Sequence, residues 1–429
     1  MPEPRRLLPL LGVLVLAFGG FEARPLEIAL GEIDITPPVG SPMAGYSARR
    51  GVAESIHDPL SARLLLLKDG ETSLALLTFD LRRLASPRLI EAVKSLGVAH
   101  VVLASSHTHS GPDADREDFP AGGSSWRRSM EAAVLEMVRQ AQGRTFPARL
   151  AVGKGSLNLG HNRRLVDEAG RVTMLWRNAE ARPTHPIDPT VGVIRVDDLE
   201  GRPRAVLVHY ACHAVVLGPD NLALSADYPG AMRRRLAGKI SSGGGDAPLV
   251  FFLQGAAGDI NPYRDKQPVA EGGFDEAERV GADLAEAAFN VFEALGSRTR
   301  PEVTLRVLED DFDFEDRWDR AKRVPVRLLT VLVGPDLALV ALAGEPFVEF
   351  QLELTARSPV ADAFVLGYAV AGPHPWPGYI PTIQAATEGG YGAGYNTQIE
   401  VGAGETLIDR AVIRLYQLSG RLGPAIAGH

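Results

Sequence analysis

Residues 100–112 read His-Val-Val-Leu-Ala-Ser-Ser-His-Thr-His-Ser-Gly-Pro, and the rest of the chain is organised around this stretch. A β-branched and aliphatic run that ends in a polar cluster and Gly-Pro predicts a buried strand followed by a loop. In an extended chain residues i and i+2 point to the same side, so His107 and His109 are expected to face one pocket. Neutral imidazole is the commonest protein metal ligand, but a metal site needs further ligands from elsewhere. The alternative is one histidine bonded to backbone and one exposed.

The composition is that of an ordinary globular protein. The 429 residues are 45% hydrophobic, which is enough for a large core, and the formal net charge is -8. No basic cluster appears, which argues against nucleic-acid binding. Because Cys212 is the single cysteine, an internal disulfide and a cysteine-rich zinc site are both excluded, and we expect this residue to be small and buried.

The amino terminus has the pattern of a secretory signal. Arg5 and Arg6 precede an apolar run over residues 7–18, which ends at two glycines. This pattern predicts a signal peptide over residues 1–21 and a secreted or periplasmic protein. The alternative is an uncleaved membrane anchor.

Strand and helix patterns alternate along the remaining chain, and no repeat, charge run or long linker divides it. They predict an α/β (mixed α+β) fold: one large domain over residues 26–425, with a mixed β-sheet core flanked by helices. Residues 27–36 are expected to form an edge strand and residues 363–370 one continuous strand. Asp69-Gly70 predicts a hairpin turn, and Ser86-Pro87 predicts a helix start.

Polar residues recur where these predicted strands end. They are His107 and His109, then His213, Asp259 and Glu345, with Tyr379 in a later loop. A catalytic zinc ion takes about three or four N/O ligands and leaves one position for water, which it makes acidic enough to attack a carbonyl. A tyrosine can join the ligands, since a cation lowers the pKa of a phenol. The alternatives are core histidines bonded to backbone, and a glutamate that interacts with a helix N-terminus.

Several blocks of the sequence, in the same order from residue 31 to about residue 395, resemble the neutral/alkaline non-lysosomal ceramidase family. The blocks are Asp34-Ile-Thr-Pro-Pro-Val-Gly40, Ile56-His-Asp-Pro-Leu60, Ala104 to Pro112, Tyr210-Ala-Cys-His213, Ser225-Ala-Asp-Tyr-Pro-Gly230, Gln254 to Pro262, Ala343-Gly-Glu-Pro346, Gly378-Tyr379 and Glu388-Gly389-Gly390.

The resemblance implies a secreted zinc amidase that cleaves the N-acyl bond of ceramide, or of a related N-acyl lipid, into fatty acid and sphingoid base. The implied zinc ligands are His107, His213, Glu345 and Tyr379; Tyr391 and Tyr395 are nearby alternatives to Tyr379. His109 would bind or protonate the substrate near the scissile amide. Arg163 would be the active-site arginine, suited to an oxyanion, although Arg164 is adjacent.

Other residues have less defined roles. We expect Asp259 to orient its loop or a ligand. Trp376 and Tyr391 either line an acyl groove or simply pack. A lipid substrate implies possible peripheral membrane contact, and the oligomeric state is left open.

The sequence departs from the family pattern in two places. The family motif Gly-Asp-x-Ser-Pro-Asn carries a serine that has been proposed as a nucleophile, and here Asn261 takes its place. Asparagine cannot form an acyl-enzyme, so zinc-bound water would attack directly and Asn261 would at most donate a hydrogen bond. The family's immunoglobulin-like carboxyl-terminal domain is not expected here either. Alternative functions are a zinc hydrolase of another amide or ester, and a non-catalytic metal- or lipid-binding relative.

Overall fold

The strands and helices follow one another much as the hydrophobic pattern predicts. The computed structural model describes residues 25–119, 125–301 and 303–422, and the predicted signal peptide lies outside these residues. The strands are β1 (Leu26–Asp34), β2 (Ser55–Ile56), β3 (Ser61–Asp69), β4 (Thr72–Phe79), β5 (His100–Ser105), β6 (Phe146–Ser156), β7 (Gly160–Asn162), β8 (Arg164–Val166), β9 (Val172–Met174), β10 (Thr190–Asp198), β11 (Pro203–Tyr210), β12 (Ala223–Leu224), β13 (Leu249–Gln254), β14 (Ile260–Pro262), β15 (Leu305–Glu315), β16 (Arg323–Val333), β17 (Leu337–Leu342), β18 (Glu345–Pro346), β19 (Asp362–Leu366), β20 (Ala369–Val370) and β21 (Tyr379–Ile380). The helices are α1 (Pro87–Ser95), α2 (Trp126–Gln142), α3 (Asp227–Ser241), α4 (Gly273–Leu295), α5 (Glu349–Arg357), α6 (Ile383–Glu388) and α7 (Ala403–Leu418). Among the described helices, none is both long and apolar enough to cross a membrane.

A mixed sheet of nine strands forms the centre of the fold, in the order β13-β11-β10-β6-β1-β3-β4-β5-β20. The expectation of an edge strand over residues 27–36 is wrong, because β1 pairs with β3 on one side and with β6 on the other. The sequence pattern shows which face of a strand is buried but does not show how many neighbours the strand has.

A second sheet, in the order β15-β16-β17-β19, packs face to face against the large sheet. Alternate residues of β3 demonstrate the layering: Leu65 and Leu67 face the core between the sheets, whereas Leu64 and Leu66 face helices α1 and α2. Helices α3 and α4 cover another part of the large sheet, and α5 and α7 cover the outer face of the second sheet. The apolar residues are therefore buried in layers of helix, sheet, sheet and helix.

Two parallel strand pairs position the site. Strands β4 and β5 are joined through α1, and β11 and β13 are joined through α3, so each pair ends at the same edge of the sheet. The large sheet curls until β13 contacts β5, and the Gln254 Nε2 amide donates a hydrogen bond to the Ser106 carbonyl at 3.3 Å. The loops that follow the two parallel pairs therefore meet.

Local signals were reliable where neighbouring residues decide the structure. The β3–β4 hairpin turns at Gly70, which has a φ of 57°, and the Ser86 side chain caps α1 by accepting the Leu89 N–H at 3.1 Å. The expected continuous strand over residues 363–370 is wrong. Tyr368 has a φ of 57°, which interrupts the strand and sends β19 and β20 into different sheets.

Candidate metal centre and active-site cavity

Three histidines converge at the loops that follow the parallel pairs. His107 and His109 follow β5 and His213 follows β11, and one ring nitrogen from each lies within 4.8 Å of the others. The extended-chain argument for His107 and His109 is wrong, because His107 has a φ of 63° and the chain turns there. The two rings nevertheless meet, with their Nε2 atoms 3.1 Å apart.

Backbone carbonyls fix two of these rings. The Nδ1 of His107 lies 2.7 Å from the Arg82 carbonyl, and the Nδ1 of His213 lies 2.6 Å from the Ala257 carbonyl. A carbonyl oxygen only accepts hydrogen bonds, so each Nδ1 carries a proton, and in the neutral imidazole the Nε2 then has a free lone pair. The buried Nε2 of His213 has no hydrogen-bond partner among the described residues.

Glu345 completes the cluster from β18. Its Oε2 lies 3.4 Å from the Nε2 of His107 and 3.3 Å from the Nε2 of His213, and this buried oxygen has no hydrogen-bond partner among the described residues. Ligands about 2.0–2.1 Å from a tetrahedral zinc ion lie roughly 3.3 Å from one another. The orphaned atoms and their separations therefore fit a divalent cation, and neutral imidazoles with a carboxylate are a suitable donor set.

Tyr379 and Arg163 lie beside this cluster. Strand β21 pairs with β18, so Tyr379 is the register partner of Glu345. The buried Arg163 guanidinium donates from Nη2 to the Tyr379 hydroxyl at 3.1 Å and to the Gly258 carbonyl at 2.6 Å. Tyr379 and His109 are thus two further predicted site residues that lie beside His107, His213 and Glu345. The adjacent Arg164 instead binds the Gly389 carbonyl and Glu388.

Asn261 is part of the support of Arg163. Its Oδ1 accepts the Arg163 Nη1–H at 3.0 Å, and its Nδ2 donates to the Asp265 carboxylate at 2.9 Å. Because a carboxylate can only accept, Asp265 fixes the amide orientation and directs Oδ1 at the arginine. The Asn261 side chain therefore connects the Asp265 carboxylate to the Arg163 guanidinium.

Asp259 is buried and bonded to the protein through both carboxylate oxygens. One accepts the Asn162 amide at 2.6 Å, and the other accepts the Val348 N–H at 2.9 Å. The preceding Gly258 lies so close to β18 that an added Cβ would meet the Glu345 carbonyl at 2.4 Å. These contacts hold the loop after β13 against the strand that carries Glu345.

Burial and neighbouring charges shift the pKa values of three groups in the cluster. Burial, and then the nearby Arg163, lowers the pKa of His213 to about 4. Burial, followed by the neighbouring imidazoles and Arg82, holds the pKa of His109 well below its usual value. Burial alone would raise the pKa of Glu345, but His107 and His213 outweigh it and hold that pKa well below the usual range. His109 and His213 are therefore held in the neutral form and Glu345 in the charged form, the protonation states that bind metal.

A cavity of about 470 Å³ opens onto Glu345 and Tyr379. Trp376 and Tyr391, which were expected at the substrate site, both line it. Tyr391 packs edge-on against Tyr379 at 5.3 Å between ring centroids. Cys212, by contrast, is buried in the core beneath α3.

The sequence analysis missed three residues at this site. Tyr368 packs against His107 at 4.2 Å between ring centroids, Trp176 lies 5.4 Å from the Arg163 guanidinium, and Arg82 orients His107 through its carbonyl and lines the cavity. Arg82 lies three residues after β4 and Tyr368 lies two residues after β19, and a place shortly after a strand is a signal that could have drawn attention to them.

The fold and the cluster define a mixed α/β protein with a buried candidate metal centre. The family model for the N-terminal part of neutral/alkaline non-lysosomal ceramidases matches residues 26–271, more than half of the chain. The chain therefore belongs to the neutral/alkaline ceramidase family, and the family prediction is confirmed.

Two curated relatives support this membership. The chain is 23% identical over 350 residues to the neutral ceramidase of Pseudomonas aeruginosa, and 24% identical over 260 residues to neutral ceramidase A of Dictyostelium discoideum. These matches cover 73% and 55% of this chain but only 49% and 36% of the relatives. The chain thus spans about half or less of the length of these relatives.

Solved structures confirm the predicted fold class. A crystal structure of neutral ceramidase from Pseudomonas aeruginosa matches with a TM-score of 0.73 at 17% identity, over 95% of this chain and 76% of that one. A structure of ceramidase complexed with C2 matches with a TM-score of 0.72, over 95% of this chain and 77% of that one. At this identity the likeness defines the fold, and the roles of individual site residues stay predictions.

Metal content tests the cluster. We expect His213→Gln to weaken binding of a divalent ion by more than about 100-fold. Loss of a residue that only orients a metal ligand already lowers metal affinity by about 10–100-fold, and His213 would be a ligand itself. The matched control is His209→Gln, a buried histidine on β11 whose Nε2 binds the Val365 carbonyl and which should not affect the ion. Metal analysis after dialysis checks both, and equal retention in the two variants would contradict the assignment.

The dependence of stability on pH tests the environment of Glu349, the first residue of α5, which lies near Asp259. Burial, together with Asp259, raises the pKa of Glu349 to about 8 from an ordinary value of 4.5. Between these values the folded state binds more protons, so the free energy of unfolding should fall as pH rises, by up to about 1.4 kcal/mol per pH unit. Glu349→Gln should reduce this slope in urea titrations from pH 6 to 9. Glu293→Gln, at an exposed position, should leave the slope unchanged. An unchanged slope in Glu349→Gln would contradict the raised pKa of Glu349.

The Asn261 bridge can be tested without a substrate. Asn261→Ser removes an amide that satisfies both Arg163 and Asp265, so we expect the free energy of unfolding to fall by about 1–3 kcal/mol. Asn290→Ser, at an exposed position on α4, should cost no more than about 0.5 kcal/mol. Urea unfolding at neutral pH compares them, and equal costs would show that the bridge contributes little.

Proposed function

We propose that the chain is a metal-dependent amidohydrolase, with residues 26–425 as its catalytic unit and the N-acyl bond of ceramide or a related N-acyl amide as its substrate. The observation that carries the proposal is the convergence of the His107 Nε2, the His213 Nε2 and the Glu345 Oε2. The last two of these atoms are buried without a partner among the described residues, and such atoms are rare. Family membership supports amide hydrolysis, and the names of the relatives support ceramide.

The metal role follows from the donor set. His107, His213 and Glu345 would hold the ion, with Tyr379 as a further ligand, and zinc suits such N/O ligands. When bound, a zinc ion supplies a Lewis acid that lowers the pKa of water and polarises a carbonyl.

The chain's own residues would handle charge and protons. Arg163 is held by Gly258, Asn261 and Tyr379 before any substrate arrives, and its fixed guanidinium would stabilise the oxyanion that forms when the amide carbonyl is attacked. Because Asn261 has no nucleophilic oxygen, water rather than a side chain would be the attacking group. His109, whose lowered pKa keeps it neutral, would accept a proton from that water and return it to the leaving amine.

Secretion belongs to the same proposal and rests only on the amino-terminal sequence pattern. Contact with a membrane surface would follow from a ceramide substrate.

Fatty-acid release from a short-chain fluorescent ceramide tests the function. Chelator-treated protein should be inactive, equimolar Zn²⁺ should restore turnover, and His107→Ala should lower kcat/KM by at least about 10³-fold, whereas His209→Gln should stay active. The assay is repeated with N-acyl amino acids and acyl esters of equal chain length. Turnover of these alone would replace ceramide by another acyl substrate, and no turnover of any of them by metal-loaded protein would sink the proposal.

A further inference from the structure

The wall of the active-site cavity is polar and aromatic. The described residues that line it are Arg82, Arg83, Trp318, Glu345, Trp376, Gly378, Tyr379, Tyr391, Asn396, Thr397 and Gln398. Four of these residues are aromatic, two are arginines, and none is aliphatic, so charged and hydrogen-bonding groups lie beside the aromatic rings. The composition of the wall therefore favours a substrate with a polar group close to the reacting bond.

Two arginines on this wall share one carboxylate. Arg83 donates to the Asp115 Oδ2 from Nε at 2.8 Å and also from Nη2. The nearest approach of Arg82 to that same oxygen is 3.5 Å, from Nη2. One anion therefore faces two cations, and the hydrogen bonds that its Oδ2 accepts from a guanidinium come from Arg83.

Arg82 is left with unused donors. Its guanidinium makes no hydrogen bond to a described residue, and its Nε is buried without a partner. Buried donors are almost always satisfied, and the guanidinium fork matches the oxygens of a carboxylate or a phosphate. An unsatisfied arginine on a cavity wall is therefore suited to an anionic ligand.

Arg82 lies beside the candidate metal centre. The carbonyl of the same residue accepts the Nδ1 proton of His107 at 2.7 Å, and its side chain lines the cavity that reaches Glu345. An anion held by Arg82 would thus lie next to the candidate metal centre.

We propose that Arg82 binds an anionic group, a carboxylate or a phosphate, on the amide that this site hydrolyses. The inference rests on the proposed function. Within its substrate class it favours the related N-acyl amides that carry an oxyanion near the scissile bond over ceramide, which has no anionic group. Such amides include N-acyl amino acids and N-acyl phosphoethanolamines. In this proposal the Arg82 side chain determines substrate specificity. The hydrogen bond from His107 goes to the Arg82 carbonyl, so a change of the side chain leaves its acceptor in place.

Matched pairs of substrates test the proposal. N-hexanoylglycine and N-hexanoylglycinamide differ by one charge, and N-hexanoyl phosphoethanolamine and N-hexanoylethanolamine differ by a phosphate. For the zinc-loaded protein we expect at least a 10-fold higher kcat/KM for the anionic member of one pair, mainly through KM. The pair that shows the preference identifies the anion. In Arg82→Gln that ratio should fall to about one, while the exposed Arg128→Gln should keep it.

Binding to metal-free protein provides a second readout, through the fluorescence of Trp318 and Trp376 at the cavity. Arg82→Gln should lose at least 10-fold in affinity for the preferred anion. Hydrolysis with equal kcat/KM within both pairs, or a preference that survives in Arg82→Gln, would overturn this inference and leave the proposed function intact. If no amide is hydrolysed, the proposed function fails, and the binding measurement alone decides the role of Arg82: no preferential, Arg82-dependent binding of an anion would overturn it.

Discussion

The centre depends on two hydrogen bonds from imidazole to backbone, those of His107 to the Arg82 carbonyl and of His213 to the Ala257 carbonyl. Each histidine follows one strand of a parallel pair, β5 or β11, and the carbonyl that orients it follows the other strand, β4 or β13. The geometry of each pair thus fixes which ring nitrogen carries the proton. Curling of the sheet then brings the two open Nε2 atoms to the same carboxylate.

Backbone strain is concentrated at this junction. His107, Tyr368 and Asp227 all have a positive φ, which costs about 1–3 kcal/mol at residues with a side chain. The packed surroundings hold each of them: Tyr368 lies against the His107 ring, and the Asp227 carboxylate accepts backbone N–H groups of Val216 and Leu217. These conformations turn the chain abruptly after a strand, so that consecutive loops can reach a common point.

The sequence was informative wherever a few neighbouring residues decide the structure. The turn at Gly70 and the Ser86 cap each have a local cause, and each is present in the fold. The fold class could be predicted from the family blocks, because they are many short motifs that occur in a fixed order along the chain. The central place of β1 and the break at Tyr368 were missed, because strand order and packing across layers depend on residues far apart in the chain.

The same reasoning explains which site residues could be named in advance. His107, His213 and Glu345 are chemically conspicuous residues at predicted strand ends, and the structure brings them together. The roles of Asp259 and Asn261 were harder to assign, since hydrogen bonds to Val348 and Asp265 determine what their side chains can still do. The only signal for Arg82 was its place shortly after a strand, and that signal is weak because one arginine beside another there resembles a solvated surface.

The two arginines near the centre, Arg163 and Arg82, differ in burial, and this difference suits them to different roles. Arg163 is fully buried, and both of its terminal nitrogens are bonded to the protein, which offsets the cost of removing its charge from water. Such a cation is already in place when charge develops on a substrate. The side chain of Arg82 is 25% exposed, so water can satisfy part of it in the free protein. Its donors remain exchangeable, and an anion entering the cavity would displace water rather than a protein partner. The first arginine is thus suited to stabilising charge that forms during a reaction, and the second to charge that a ligand brings with it.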